Sequence, residues 1–412
     1  MQTIEERYQH DYREHEHTRI ENDRNLLPKL KDISQGKDID ALERFAKGYL
    51  GMFLDLDNTI PPQQRIQILA SPDLAGGIHE GFKTILLDGQ FPEPELIADS
   101  MLDDKPYPIG YVLLAALDLF SDESRFQTPQ LPDSTIIAAI CFHYAYKTEM
   151  QDQWLSAAIE HRQTQTAEAL RAFWQQLAQR NTDHLPGLQH LIRDRQNDKI
   201  SAQVLLPILE TWKTCRKSTL RDVLHAAIRT TDHTQLLRIS ETALEEWNAA
   251  EPSRYILWLA TAFLLAPAKY DMVLSDYTGR SKEKILPLLD FVTPILLSDE
   301  HRLNMSADAL AQLLRIIAPK FTPQKDRYGE LSDITRKVMY LFYCLAASND
   351  PETESAIKRL SLVRVMKLYK SILNYVRDVY RQQQSPTFEV FLKQLVDGEM
   401  VKSRIKWSDI AH

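Results

Sequence analysis

Glycine is scarce in this chain, 12 residues in 412, against an average usage of about 7%. Sheet proteins need glycine at tight turns and bulges, so the shortage speaks for helices joined by short connections. No stretch alternates apolar and polar residues with period two, and valine is sparse beside leucine. The pairs Asp88-Gly89 and Asp397-Gly398 do not separate strand-like runs. Cysteine is nearly missing. Cys141, Cys215 and Cys344 lie far apart, without a C-x-x-C partner, each inside an apolar helical stretch. They read as small buried thiols in a reducing compartment. Long apolar runs are absent as well. The longest, Tyr255 to Pro267, holds about a dozen residues, short of the roughly 20 that a bilayer span requires. Residues 1 to 25 are highly charged, so no signal peptide is expected, and the setting is read as cytoplasmic. The formal charge of −8 excludes a globally basic nucleic-acid binder and leaves room for a local basic patch. No G-x-x-x-x-G-K-[ST] loop occurs, which removes that route to nucleotide binding. No Ser-His-Asp or Cys-His set is defensible from spacing, and no cofactor is expected.

What is present is leucine-rich helical periodicity. Leu42, Phe45, Ala46, Tyr49, Leu50 and Phe53 fall on one side of a 3.6-residue helix. Leu220, Val223, Leu224, Ala227 and Ile228 repeat the pattern, as do Leu310, Leu313, Leu314 and Ile317. The expected fold is all-α, an irregular HEAT-like α-solenoid of stacked helix pairs with no sheet of consequence. No fixed-period consensus repeat accompanies it.

Three regions are expected: a charged N-terminal helix over 1–35, a compact helical subdomain over 36–122, and a solenoid of helix pairs over 134–412. The polar connection at 121–133 separates the last two. Gly48, Gly51, Gly76, Gly77 and Gly81 are candidate sites of close helix approach. Helices are predicted over 134–148, 151–162, 165–180, 186–196, 202–214, 218–230, 234–249, 252–266, 283–297, 306–318, 329–346, 352–381 and 387–397. Ser218 and Thr234 are expected N-caps, with Pro252 and Pro351 in first turns.

Three constellations carry potential chemistry. Asp55-Leu56-Asp57-Asn58-Thr59 matches the D-x-D-x-T pattern of haloacid-dehalogenase-like magnesium phosphatases, where the first Asp is nucleophile and the second a general acid/base. That chemistry needs both carboxylates at the end of a buried strand, and the residues leading in have helical period. On a helix, neighbours two apart point about 200° away from each other. His10, His15 and His17 sit among glutamates with nothing to fix them as metal ligands. His143, His190 and His225 lie on helical stripes as core or boundary residues. The strongest electrostatic feature is a long helix from Ile357 to Arg381. Its expected apolar stripe is Leu362, Val365, Met366, Tyr369, Ile372, Leu373 and Val376, with Arg364, Lys367, Lys370, Arg377 and Arg381 opposite or at its edge. Residues 358 to 406 carry eleven Lys or Arg against four acids. Such a face serves a nucleic acid or a protein partner, or is simply solvated.

Residues 36 to 118 also carry a recognisable flavour: Ala41-Leu42, Phe45-Ala46, Tyr49-Leu50-Gly51, Asp55-Leu56-Asp57, Pro61-Pro62, Arg65-Ile66, Gly81-Phe82, Phe91-Pro92, Tyr107-Pro108 and Leu113 to Leu117. Trp258-Leu259-Ala260 with Phe263-Leu264-Leu265 adds to it. This resembles the helical C-terminal region of large bacterial NACHT-type STAND ATPases, including those of phage defence. The resemblance implies that Asp55-Leu56-Asp57 is a loop marker and that the chain is a non-enzymatic sensor or scaffold arm. Its partner would be a protein ligand or assembly component, with nucleotide bound by a separate ATPase module. The alternatives are a nucleic-acid-associated protein using the basic helix and the Asp55/Asp57 phosphatase. Membrane association is not expected.

Overall fold

A computed structural model describes residues 16–53, 59–121, 123–146, 153–212, 215–247, 251–279, 281–297, 305–321, 332–382 and 386–402. Among these residues every regular element is helical and no strand occurs. None of the described helices is long and apolar enough to cross a membrane. The chain divides into two compact units, Met1–Arg216 and Lys217–His412, and the polar connection at 121–133 lies inside the first.

The first unit opens with α1 (16–26), α2 (Leu30–Ser34), α3 (Ile39–Tyr49), α4 (Pro62–Leu69), α5 (Pro72–Asp88), α6 (Pro94–Leu102) and α7 (Pro108–Leu119). It continues with α8 (Asp133–Ala145), α9 (Gln153–His161), α10 (Gln163–Gln179), α11 (Leu188–Arg193) and α12 (Asp198–Thr211). Helices α4 to α7 each carry proline in the first turn, where the missing N–H costs nothing. Helix α3 ends at Tyr49, not at Phe53. Gly51 takes φ +71°, the Gly51 N–H donates to the Gly48 carbonyl, and Met52 N–H donates to Lys47. That Schellman closure stops the helix while the apolar pattern is still running. The described residues that precede Asp55 are thus a helix and a short irregular stretch at 51–53, with no strand among them.

The charged N-terminal segment is held to its own unit. Asn22 is buried and donates to the Leu69 carbonyl at 2.8 Å, and Asp23 accepts from the Ser71 N–H at 3.0 Å. Helix α7 packs against α3, α5 and α8, while α6, α8, α10 and α12 contact one another in series. Of the five candidate glycines, Gly48, Gly77 and Gly81 do sit at close approaches. A Cβ on Gly81 would lie 2.3 Å from the Ile33 carbonyl oxygen of α2. Gly51 serves the turn instead, and Gly76 faces open space.

The second unit comprises α13 (Lys217–Thr230), α14 (His233–Trp247), α15 (Pro252–Leu265), α16 (Pro267–Thr278), α17 (Lys282–Leu297), α18 (Ala307–Ile317), α19 (Asp333–Ala346), α20 (Thr353–Leu362), α21 (Lys370–Arg381) and α22 (Phe388–Lys402). Its packing follows a simple rule. Helices α13, α15, α17, α19 and α21 touch in series, α16, α18 and α20 touch in a second series, and chain neighbours such as α14–α15, α15–α16 and α18–α19 bridge the rows. The most enclosed member is α15, in which every residue from Tyr255 to Leu264 is buried. Its buried Thr261 hydroxyl donates to the Leu257 carbonyl at 2.9 Å, leaving no orphan.

Exposed ion pairs join α14 to α16 and then each step of the second row. Lys269 of α16 meets Glu241 of α14 at 2.8 Å, Arg315 of α18 meets Asp271 of α16 at 2.9 Å, and Arg359 of α20 meets Asp308 of α18. Solvent-exposed pairs of this kind contribute roughly 0.2–1 kcal/mol each, so burial holds the rows and charge only selects their register.

Three sequence expectations need correction. Helix α16 was absent from the predicted spans; it buries only Tyr270, Leu274 and Thr278, while Met272 and Val273 point outward and blur its stripe. Ser218 lies inside α13, and α14 is capped not by Thr234 but by Asp232, whose carboxylate accepts from the Gln235 N–H at 2.8 Å. Pro351 precedes the first turn of α20, whose N-cap is Glu352.

Because Gly81 allows α5 to ride on the α2 backbone, Gly81→Ala is expected to destabilise the protein by about 1–3 kcal/mol. Gly76→Ala, facing open space, should be neutral or stabilising by about 0.4–1 kcal/mol. Urea unfolding of both variants checks this; equal effects would contradict the assigned contact.

Candidate interaction surface

The basic segment at the end of the second unit is not one long helix. Helix α20 stops at Leu362, Val363 turns extended at φ −71°, ψ 124°, a 3-10 segment runs over Arg364–Tyr369, and α21 begins at Lys370. Two physical causes act together. The β-branched Val363 and Val365 favour helix weakly. The core also asks for a different rotation. A 3-10 helix repeats every three residues, so Met366 and Tyr369 share one face, and both are buried, at 0% and 1% exposure. The buried Tyr369 hydroxyl sits against the carbonyls of Ala318 (2.6 Å) and Phe321, at the end of α18. Its ring stacks on Phe342 at 5.5 Å. Burial pushes the phenol well above its ordinary range, so it stays a neutral donor.

The break redistributes the residues that periodicity had grouped. Ile372, Leu373 and Val376 are buried as expected, but Leu362 is 78% exposed and Val365 53% exposed. Helical periodicity puts both on the buried stripe. The five candidate cations are likewise not a single row. Arg364 and Lys370 are exposed at either end of the 3-10 segment. Lys367 has its backbone in that segment, and its side chain lies outside the described residues. Arg377 is half-buried, its Nε enclosed without a hydrogen-bond partner. Arg381 pairs with Glu354 of α20. The Arg381 hydrogen bond, with the charges of Arg381, Arg377 and Lys358, holds the Glu354 carboxyl below its usual range. The α21 end of the surface is therefore already partly neutralised by the protein itself. Lys358, exposed one turn before Leu362, adds a cation to the five candidates.

The remaining candidates resolve simply. Asp55, Asp57, His10 and His15 lie outside the described residues. No group of three or more His, Cys, Asp or Glu placed to hold a metal ion occurs among the described residues. His225 is enclosed, its Nε2 2.9 Å from the Phe291 carbonyl, and burial pulls its pKa down to about 4, so the ring is neutral near pH 7 and donates that bond. His143 packs edge-on to Trp154 at 5.7 Å. His190, expected at a core boundary, is exposed on the short helix α11. All three cysteines are buried thiols outside any disulfide, and desolvation raises Cys141 well above the ordinary thiol value. A half-open cavity of about 240 Å³ in the first unit is walled by Phe126, Pro129 and Trp154. Ser121, on its rim, spends its hydroxyl on the Asp118 carbonyl.

No family model matches this chain, and comparison with curated proteins and with solved structures returns no significant match.

If Tyr369 fixes the 3-10 rotation, Tyr369→Phe should cost about 1–2 kcal/mol by removing the buried hydroxyl's hydrogen bond. Arg364→Ala, at an exposed position, should stay within roughly 0.5 kcal/mol of wild type. Urea denaturation followed by dichroism measures both, and an unchanged Tyr369→Phe midpoint would contradict the assignment.

Proposed function

We propose that this chain is a non-enzymatic cytoplasmic scaffold or sensor arm that recognises a protein, with its helices stacked as an irregular α-solenoid. The single observation that carries the reading is the packing rule of the second unit. Helices α13, α15, α17, α19 and α21 contact one another in series, α16, α18 and α20 do the same, and pairs such as α14–α15, α15–α16 and α18–α19 join the rows, which is how solenoids bury a continuous core and turn length into binding surface. Recognition in such arrays works by surface complementarity, a few anchoring side chains supplying most of the energy.

The resemblance to the C-terminal arms of NACHT-type STAND ATPases, including antiphage systems, gives that partner a place: a component of a larger machine whose nucleotide site lies on another module. Its residues in Gly81-Phe82 and Leu113 to Leu117 are buried helical positions. They speak for shared packing and not for shared chemistry.

A second reading, nucleic-acid association, is favoured by the exposed Arg364 and Lys370. It differs in salt dependence, since each phosphate contact contributes about 0.9 to the slope of log K against log salt on duplex DNA. The test is affinity capture from the native cytoplasm, followed by purification of the captured protein and calorimetry against this chain. The expected result is a stoichiometric complex that survives nuclease treatment and raised salt. Capture lost to nuclease, with affinity for DNA falling steeply as salt rises, would replace this reading with the second.

A further inference from the structure

The 3-10 segment displays two unlike faces side by side, and neither serves the core. On a three-residue repeat, Met366 and Tyr369 take the buried face. Arg364 falls on the second face and Val365 on the third, with Lys370 continuing the register of Arg364. Leu362, the last residue of α20, adds a second protruding aliphatic three residues before Val365. Lys358 stands one turn earlier on the Leu362 side of α20, since residues four apart are neighbours on a helix. Arg359, three before Leu362, is engaged by Asp308. The side chains of Lys358, Arg364 and Lys370 are exposed and make no ion pair or hydrogen bond within the described residues. The result is an apolar ridge, Leu362 and Val365, bracketed by three exposed cations, of which Lys358 also acts through its charge on Glu354.

Most exposed leucines are solitary and need no account. This pair stands where α20 gives way to the 3-10 segment: Leu362 lies on the side of α20 away from its buried Ile357 and Leu360, and Val365 is turned outward by the rotation that Tyr369 anchors beneath. We propose that the ridge is a docking site for an acidic amphipathic segment of a partner protein, its apolar side chains seated on Leu362 and Val365 and its carboxylates met by Lys358, Arg364 and Lys370. This deepens the protein-recognition reading above and rests on it. Charge complementarity selects the occupant. A nucleic-acid backbone satisfies the cations and offers nothing to the aliphatics. An anionic bilayer is broad and flat, and two aliphatic side chains insert little apolar area into it. A narrow acidic helix meets both requirements, in the mode by which amphipathic helices lay an apolar face on a partner. Two aliphatic anchors make a small interface, so the contact is weak and transient or one part of a larger one.

The experiment uses the full chain and a fluorescein-labelled synthetic helix with leucines along one face and glutamates on the other. Controls are the same peptide with lysine replacing glutamate, phosphatidylserine vesicles, and a single-stranded oligonucleotide. Leu362→Asp and Arg364→Glu alter exposed side chains, and dichroism verifies that both variants stay folded. Anisotropy should show binding of the acidic peptide only, weakened about 10-fold or more by either substitution, the loss that removing one anchoring contact produces. Peptide binding that survives both substitutions overturns this surface and leaves protein recognition standing. Oligonucleotide binding that falls with Arg364→Glu but ignores Leu362→Asp overturns the proposal and the protein-recognition reading together. Preference for vesicles, or no binding of any probe, overturns the proposal.

Discussion

A helix with one apolar stripe cannot persist alone in water, and everything in this molecule follows from supplying each stripe with cover. Isolated helices of 10 to 15 residues are marginal, since closing the first turn costs more than it returns. The cover comes from other helices. In the second unit it arrives from chain neighbours and from the helix two places on, so α15 is enclosed along ten consecutive residues while α16 buries three. Surface charge is secondary. The pairs Lys269–Glu241, Arg315–Asp271 and Arg359–Asp308 recur at successive steps but are exposed, and they tune alignment more than stability.

The same demand explains where the chain departs from regularity. At residues 363 to 369 the core requires Met366 and Tyr369 together, three apart, under the end of α18. An α-helix could place them there only by carrying Val365 inward as well. The switch to a 3-10 turn satisfies the core and leaves Val365 in solvent, next to Leu362 on the outer side of α20 and among Lys358, Arg364 and Lys370. A packing solution thus generates a surface, and the surface has a character, apolar and cationic, that neither flanking helix has alone.

Fold class was legible because it rests on properties that every stretch of the chain repeats: few glycines, no period-two alternation, and stripes of period 3.6. The enclosed helix α15 was plain from its uninterrupted apolar run. Features decided by distant contacts were not. The pattern Leu362, Val365, Met366, Tyr369 reads as a seamless helix because the carbonyls of Ala318 and Phe321 that rotate Tyr369 lie some fifty residues away in sequence. A run of two β-branched residues within four positions was the available signal. Helix α16 escaped because Met272 and Val273 face outward, although Pro267 at its start and Gly279 at its end mark it. The five basic residues were correctly located in the sequence but not in relation to one another. Glu354, which occupies Arg381, belongs to a different helix once the break is known.

The central claim is that stability in the second unit comes from enclosure by neighbouring helices and not from the intrinsic preference of each segment. Amide hydrogen exchange read helix by helix tests it most directly. Enclosure predicts that amides of α15 exchange only through global unfolding, and that those of α16 open at markedly lower free energy. Equal protection in α15 and α16, or rapid exchange in α15, would contradict it.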